Sequence, residues 1–131
     1  MDPTSALADL TEISGRLEAA VVFVSDGSVL ASTTADEARA QRLARAALDL
    51  LQEAAAVQPG GERRPTELEV ALREGSVFVV VDDGRGVVAT VSTGAPAGLV
   101  LYDLKSCLRA IDAPAKASPR RASRKKAAAD A

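Results

Sequence analysis

The 131-residue sequence predicts one small α/β (α+β) domain with elements in the order α-β-β-α-β-β-β-α, followed by a basic tail. Three observations carry this expectation. Apolar residues recur at three- and four-residue spacing in three separate stretches, the period of an amphipathic helix. Five short apolar or alternating runs are bounded by turns rich in Gly and Asp, which marks strands. The charge balance also changes along the chain: residues 1–112 hold 10 Lys/Arg against 17 Asp/Glu, net −7, whereas residues 113–131 hold 6 against 1, net +5.

The first helix is expected from Pro3, because proline lacks only an N–H that a first helical turn leaves unpaired anyway. Leu7, Leu10, Ile13 and Leu17 follow at helical spacing, and Gly15 marks the end of the regular helix. Ala20–Val24 is a continuous apolar run, which suits a strand covered on both faces. Ser25-Asp26-Gly27-Ser28 turns the chain into a second strand, Val29–Thr33, so the two form a hairpin.

Residues 36–57 form the clearest helix, with Thr33, Thr34 and Asp36 as candidate N-caps. Ala40, Leu43, Ala47, Leu50, Ala54 and Val57 make one apolar row, and Ala44, Leu48, Leu51 and Ala55 make a second beside it. A helix lying on one sheet needs an apolar arc of little more than about 100°. The two rows exceed it, so this helix is expected to have a second neighbour.

After a loop at 58–65, Glu67–Arg73 alternates: Leu68, Val70 and Leu72 are expected to face the core, and Glu67, Glu69 and Arg73 to face out. That pattern suits a half-exposed edge strand. Glu74-Gly75 turns into a central strand at 76–81. Asp82–Gly86 turns again into a strand at 87–93. The last helix spans 99–111, with Leu101, Leu104, Leu108 and Ile111 on one side.

The sequence carries little chemistry. It has no His, so the commonest general base and most metal sites are missing. Cys107 has no His to activate it and sits on an amphipathic helix, where packing is the expected role. Asp83-Gly84-Arg85-Gly86 joins two strands and lacks the spacing of a phosphate loop. Asp82 and Asp83 read as solvated turn acids, and Lys105 as a surface lysine. No cofactor, metal, secretory signal or membrane span is expected, and the location expected is cytoplasmic.

The tail holds two short strings, Ser118-Pro119-Arg120-Arg121, similar to SPRR motifs of histone tails, and Arg120-Arg121-Ala122-Ser123, similar to a basic-directed kinase site. Its physical content is positive charge. Arg120, Arg121, Arg124, Lys125 and Lys126 form a candidate polyanion-binding segment, for weak and salt-dependent contact with nucleic acid or anionic lipid.

The order of elements resembles the roadblock/LC7 family, most of all its prokaryotic MglB-like branch. The resemblance covers residues 4–112. It rests on Leu10, Ile13 and Gly15 leading into Ala20-Val21-Val22-Phe23-Val24, and on the hairpin Ser25-Asp26-Gly27-Ser28-Val29-Leu30-Ala31-Ser32. The long helix 36–57 and Gly98-Leu99-Val100 at the start of the last helix complete it. It implies a profilin/longin-like five-stranded antiparallel sheet, with the second helix on one face and the first and last on the other. It also implies a homodimer in which third strands pair and second helices pack side by side.

On that basis Leu43, Ala47, Leu50, Ala54, Glu67, Glu69, Ala71 and Arg73 are candidate dimer contacts. Arg39, Arg42, Arg45, Asp49, Gln52 and Glu53 are candidate contacts to a further partner. The partner that the resemblance implies is a Ras-like small GTPase, whose nucleotide cycle such a protein modulates without catalytic residues of its own. The alternatives are a scaffold that binds no GTPase and a tether acting through the basic tail.

Overall fold

A computed structural model describes residues 1–57 and 65–111. Residues 58–64 of the expected loop at 58–65 and the basic tail lie outside the described residues. The elements are α1 (Pro3–Ile13), β1 (Leu17–Val24), β2 (Val29–Ser32), α2 (Glu37–Ala56), β3 (Glu67–Leu72), β4 (Gly75–Asp82), β5 (Arg85–Ser92) and α3 (Ala97–Ala110). The strands form one antiparallel sheet in the order β2-β1-β5-β4-β3.

Each boundary has a local cause. Asp2 caps α1, its Oδ1 accepting the Ser5 N–H at 2.7 Å, and Pro3 occupies the first turn. That bond holds the Asp2 carboxyl below the usual carboxylate range. At the other end the Ser14 N–H closes on the Leu10 carbonyl at 2.9 Å and the Leu17 N–H on the Ser14 carbonyl at 3.2 Å. The helix thereby ends at Ile13, two residues before Gly15. Leu17, which continues the helical spacing beyond the expected end at Gly15, opens β1, and Ile13 is left 64% exposed. Helical spacing ran on past Ile13 because the first strand residues share the same apolar rhythm.

Asp36 caps α2, its Oδ1 accepting the N–H groups of Ala38 at 3.0 Å and Arg39 at 3.2 Å. The β4–β5 turn places both central residues at positive φ, Asp83 at 55° and Gly84 at 81°. Such a two-residue turn matches the twist of the strands it joins.

The sheet separates two apolar layers. On one face α1 and α3 cover Ala20, Val22, Phe78, Val80, Val87 and Val91 with Leu7, Leu10, Leu104 and Leu108. On the other, α2 covers Val21, Phe23, Val79 and Val88 with Ala40, Ala44 and Ala47. Successive residues of β4 thus alternate between layers, as the period of two requires. Burying a leucine such as Leu104 is worth about 1.5–3 kcal/mol relative to leaving it exposed. The small alanines of α2 let the helix lie close on the sheet.

β3 is an edge strand, as its alternation predicts. Its even residues point to the α2 layer, where Leu68 packs against the core. Leu72, expected in the core, is 58% exposed. The reason lies in α2, which lies over β1, β2 and β5 and leaves the far end of β3 uncovered.

Candidate protein-binding surface

Among the described residues no group of His, Cys, Asp and Glu could hold a metal ion. No helix there is long and apolar enough to cross a membrane. Cys107 is buried in the α1/α3 layer. Burial pushes its thiol up to about 11, with the Asp9 charge adding to the shift. A thiol held neutral is a poor nucleophile. Asp82 and Asp83 are exposed at their turn, and Lys105 pairs with Glu67 of β3.

What the fold does present is a helix and a strand with unsatisfied sides. The α2 side chains sort into three strips. Ala40, Ala44 and Ala47 face the sheet, flanked by Leu43, Leu48 and Leu51. Ala47 is 0% exposed, so the expected contact there is taken up by the protein's own core. Leu43, Leu50 and Ala54 are only half buried. Arg39, Arg42, Arg45, Asp49, Gln52 and Glu53 are all exposed, and none forms an ion pair with another described residue.

Two clefts border α2. One, of about 770 Å³, lies where the β1–β2 and β4–β5 hairpins turn. Arg45, Asp49 and Gln52 form one wall, Arg85 and Asp82 another, and Phe23 and Val81 are part of its lining. The second, of about 340 Å³, brings Arg39 together with Leu72 and Arg73 at the far end of β3. The structure therefore places Arg39 in one cleft and Arg45, Asp49 and Gln52 in the other, while Arg42 and Glu53 line neither. Arg85 and Leu72 are surface features that the sequence reading did not single out. An Arg directly after the Asp-Gly turn, and an apolar residue at the last position of an edge strand, are the signals that mark them.

The backbone of β3 is the third feature. The Val81 N–H donates to the Thr66 carbonyl at 2.9 Å, so the even-numbered residues of β3 direct their backbone groups to β4. In an antiparallel ladder the intervening residues point the other way. Glu67, Glu69 and Ala71 therefore turn N–H and C=O toward the open edge.

The fold has close counterparts among solved structures. A roadblock/LC7 domain from Streptomyces avermitilis superposes with a TM-score of 0.72 at 19% identity, covering 83% of this chain and 93% of that one. The fold is that of a roadblock/LC7 domain. MglB of Myxococcus xanthus matches with a TM-score of 0.66 at 14% identity over 80% of each chain. The gliding protein MglB of Thermus thermophilus matches at 0.60 and 21% identity, over 79% of this chain and 80% of that one. Looser similarity reaches a profilin solved with rabbit actin, at a TM-score of 0.53 and 14% identity. No family model matches the sequence, and no curated protein does.

Among the described residues, the sheet ends at β3 with the backbone groups of its odd residues facing the open edge, and Leu43, Leu50 and Ala54 of α2 stay half buried.

Proposed function

We propose that this chain is a homodimeric, non-catalytic regulator of a Ras-like small GTPase. Two β3 strands pair, two α2 helices lie side by side, and their outer faces form one platform for the GTPase. The observation that carries the reading is the coincidence of an open edge strand and an under-covered α2 within a roadblock fold. An edge with free N–H and C=O groups is a template for pairing with another chain. A two-fold dimer uses one patch twice and closes that edge.

Arg42, Arg45, Asp49 and Gln52 stand on the side of α2 away from the sheet or on its cleft wall, and are the partner contacts. They bear charge and hydrogen-bonding groups, and none forms an ion pair with another described residue, which suits a polar, reversible interface. The protein needs no catalytic residue for this role, because it acts on the conformation of its partner. The working location is the cytoplasm, where a small GTPase would be met. The basic tail adds a weak, salt-dependent attraction to polyanions.

The test is a pull-down from native lysate with tagged protein, run with GDP and again with a non-hydrolysable GTP analogue. A small GTPase enriched in one nucleotide state, and lost with Arg45→Glu, supports the regulator. If no GTPase appears in either state, the regulator reading fails and the scaffold reading takes its place.

A further inference from the structure

We propose that the basic C-terminal segment of this chain, residues 113–131, docks back along the seam between α1 and α3, its cationic side chains meeting Asp103, Asp9 and Glu12. The seam lies on the face of the sheet opposite α2, and stays open whatever covers α2 and β3.

The seam holds a carboxylate that the fold leaves without a counterpart. Asp103 is 9% exposed, and no hydrogen bond or ion pair joins it to another described residue. A buried charge of this kind costs free energy until a cation or a donor meets it. Lys105 lies two residues further on, about 200° round the helix. It pairs with Glu67 of β3 and shares a cleft with Arg109, so the basic flank of α3 looks toward β3. Asp103 is on the other flank. Because α3 lies over β4 and β5 and α1 over β1 and β2, that flank is the one that meets α1.

The α1 side of the seam is acidic as well. Asp9 lies close enough to Cys107, one turn from Asp103, for its charge to act on the thiol. Glu12 follows Asp9 at three-residue spacing, and both are exposed. The sequence of α1 contains no Lys or Arg to offset them.

The place where the described chain ends selects the occupant. Arg16 Nη1 donates to the Thr93 carbonyl at 2.7 Å, and the Ser92 N–H donates to the Arg16 carbonyl at 2.9 Å. The end of α1 therefore meets the start of α3, the two helices run antiparallel side by side, and Ile111 lies level with the beginning of α1. From Ile111 the chain continues into residues 113–131, which carry 6 Lys/Arg against one Asp. Asp103 stands eight residues before Ile111, about 12 Å back along the helix. Lys116 stands five residues after it, and five extended residues span about 17 Å. Lys116 can therefore reach Asp103, and Arg120 and Arg121 can reach on to Glu12. Opposite charges in a partly buried seam attract more strongly than on an open surface. While docked, the same cations are withheld from any external polyanion.

The test uses the full-length chain with a nitroxide attached through Ala122→Cys. Cys107 is buried, so the new thiol takes the reagent. Broadening of the backbone amides by the label is read by NMR at low and at high salt. The amides of Asp9, Glu12 and Asp103 are expected to broaden at low salt and to recover at high salt, because the contact is ionic. Asp103→Asn combined with Glu12→Gln is expected to release the label at low salt. It is also expected to tighten heparin binding about fivefold, the gain from freeing a segment docked in about four chains of five. Asp82→Asn combined with Asp83→Asn removes equal charge at the β4–β5 turn. It is expected to leave the label in place, and sets the gain that lost charge alone produces. Broadening spread evenly over the surface, or centred on Asp82 and Asp83, overturns the docking. So does a seam variant that binds heparin no more tightly than the turn variant. Broadening at the seam that appears only between spin-labelled and separately isotope-labelled chains overturns the return of the segment onto its own chain.

Discussion

At Gly86 of β5 the sheet leaves no room for a side chain. An added Cβ would lie 2.5 Å from Phe23 Cζ, 2.9 Å from Phe23 Cε2 and 2.8 Å from Val81 Cγ1. Carbon atoms in good contact sit about 3.5–4.0 Å apart, so Gly86→Ala requires a displacement of about 1 Å. Phe23 is 1% exposed and lies under α2, in the layer that supports the outer helix face. Overpacking a closed core of this kind costs about 1–3 kcal/mol. For a domain of this size that lowers Tm by about 4 °C for each kcal/mol. The assay is thermal unfolding followed by circular dichroism, on Gly86→Ala, Phe23→Leu and the double variant. Phe23→Leu removes the ring that the new methyl strikes, so the double variant should be less destabilised than the sum of the singles. A Tm for Gly86→Ala equal to wild type, or strictly additive effects in the double variant, would refute the packing argument.

Two further outcomes are expected. Asp36→Ala removes the acceptor for two N–H groups at the start of α2, and chemical denaturation should show a loss of about 1 kcal/mol. Cys107 has its thiol raised from 9.0 to about 11, so the fold favours the protonated form. Its contribution is therefore complete below pH 9 and is lost as pH rises toward 11, by about 2 kcal/mol. Urea midpoints measured between pH 8 and 10.5 should fall less steeply in Cys107→Ala than in wild type, and the native thiol should react with a disulfide reagent only as the chain unfolds.

Most of the architecture was legible in the sequence because period and turn chemistry agree. The Asp-Gly turns at 26–27 and 83–84 bound runs whose apolar pattern already distinguishes central strands from the edge strand Glu67–Leu72. Leu17 continues a helical spacing by coincidence, and the hydrogen bonds of Ser14 end the helix at Ile13, close to the end that Gly15 marks. Asp2 was not recognised as the cap of α1, although an acid directly before Pro3 has the right form for one.

The candidate surface was legible in kind but not in allocation. Two apolar rows on α2 reveal surplus burial, yet periodicity alone does not say which row the sheet claims. The structure gives Ala47 wholly to the core and leaves Leu43, Leu50 and Ala54 half buried. Arg39 and Arg45 look equivalent along the helix, but they line clefts at opposite ends of β3. Which residues share a cleft depends on where α2 crosses the sheet, and that is set by packing rather than by local sequence.

The central claim is that the platform is built from two copies of the chain, and sedimentation equilibrium of the wild-type protein tests it most directly. Measured across micromolar concentrations at moderate salt, the account expects a mass twice the 13.5 kDa of one chain, falling toward a single chain on dilution. A mass of one chain throughout that range would contradict it, and would leave β3 and α2 as open surfaces for a different partner.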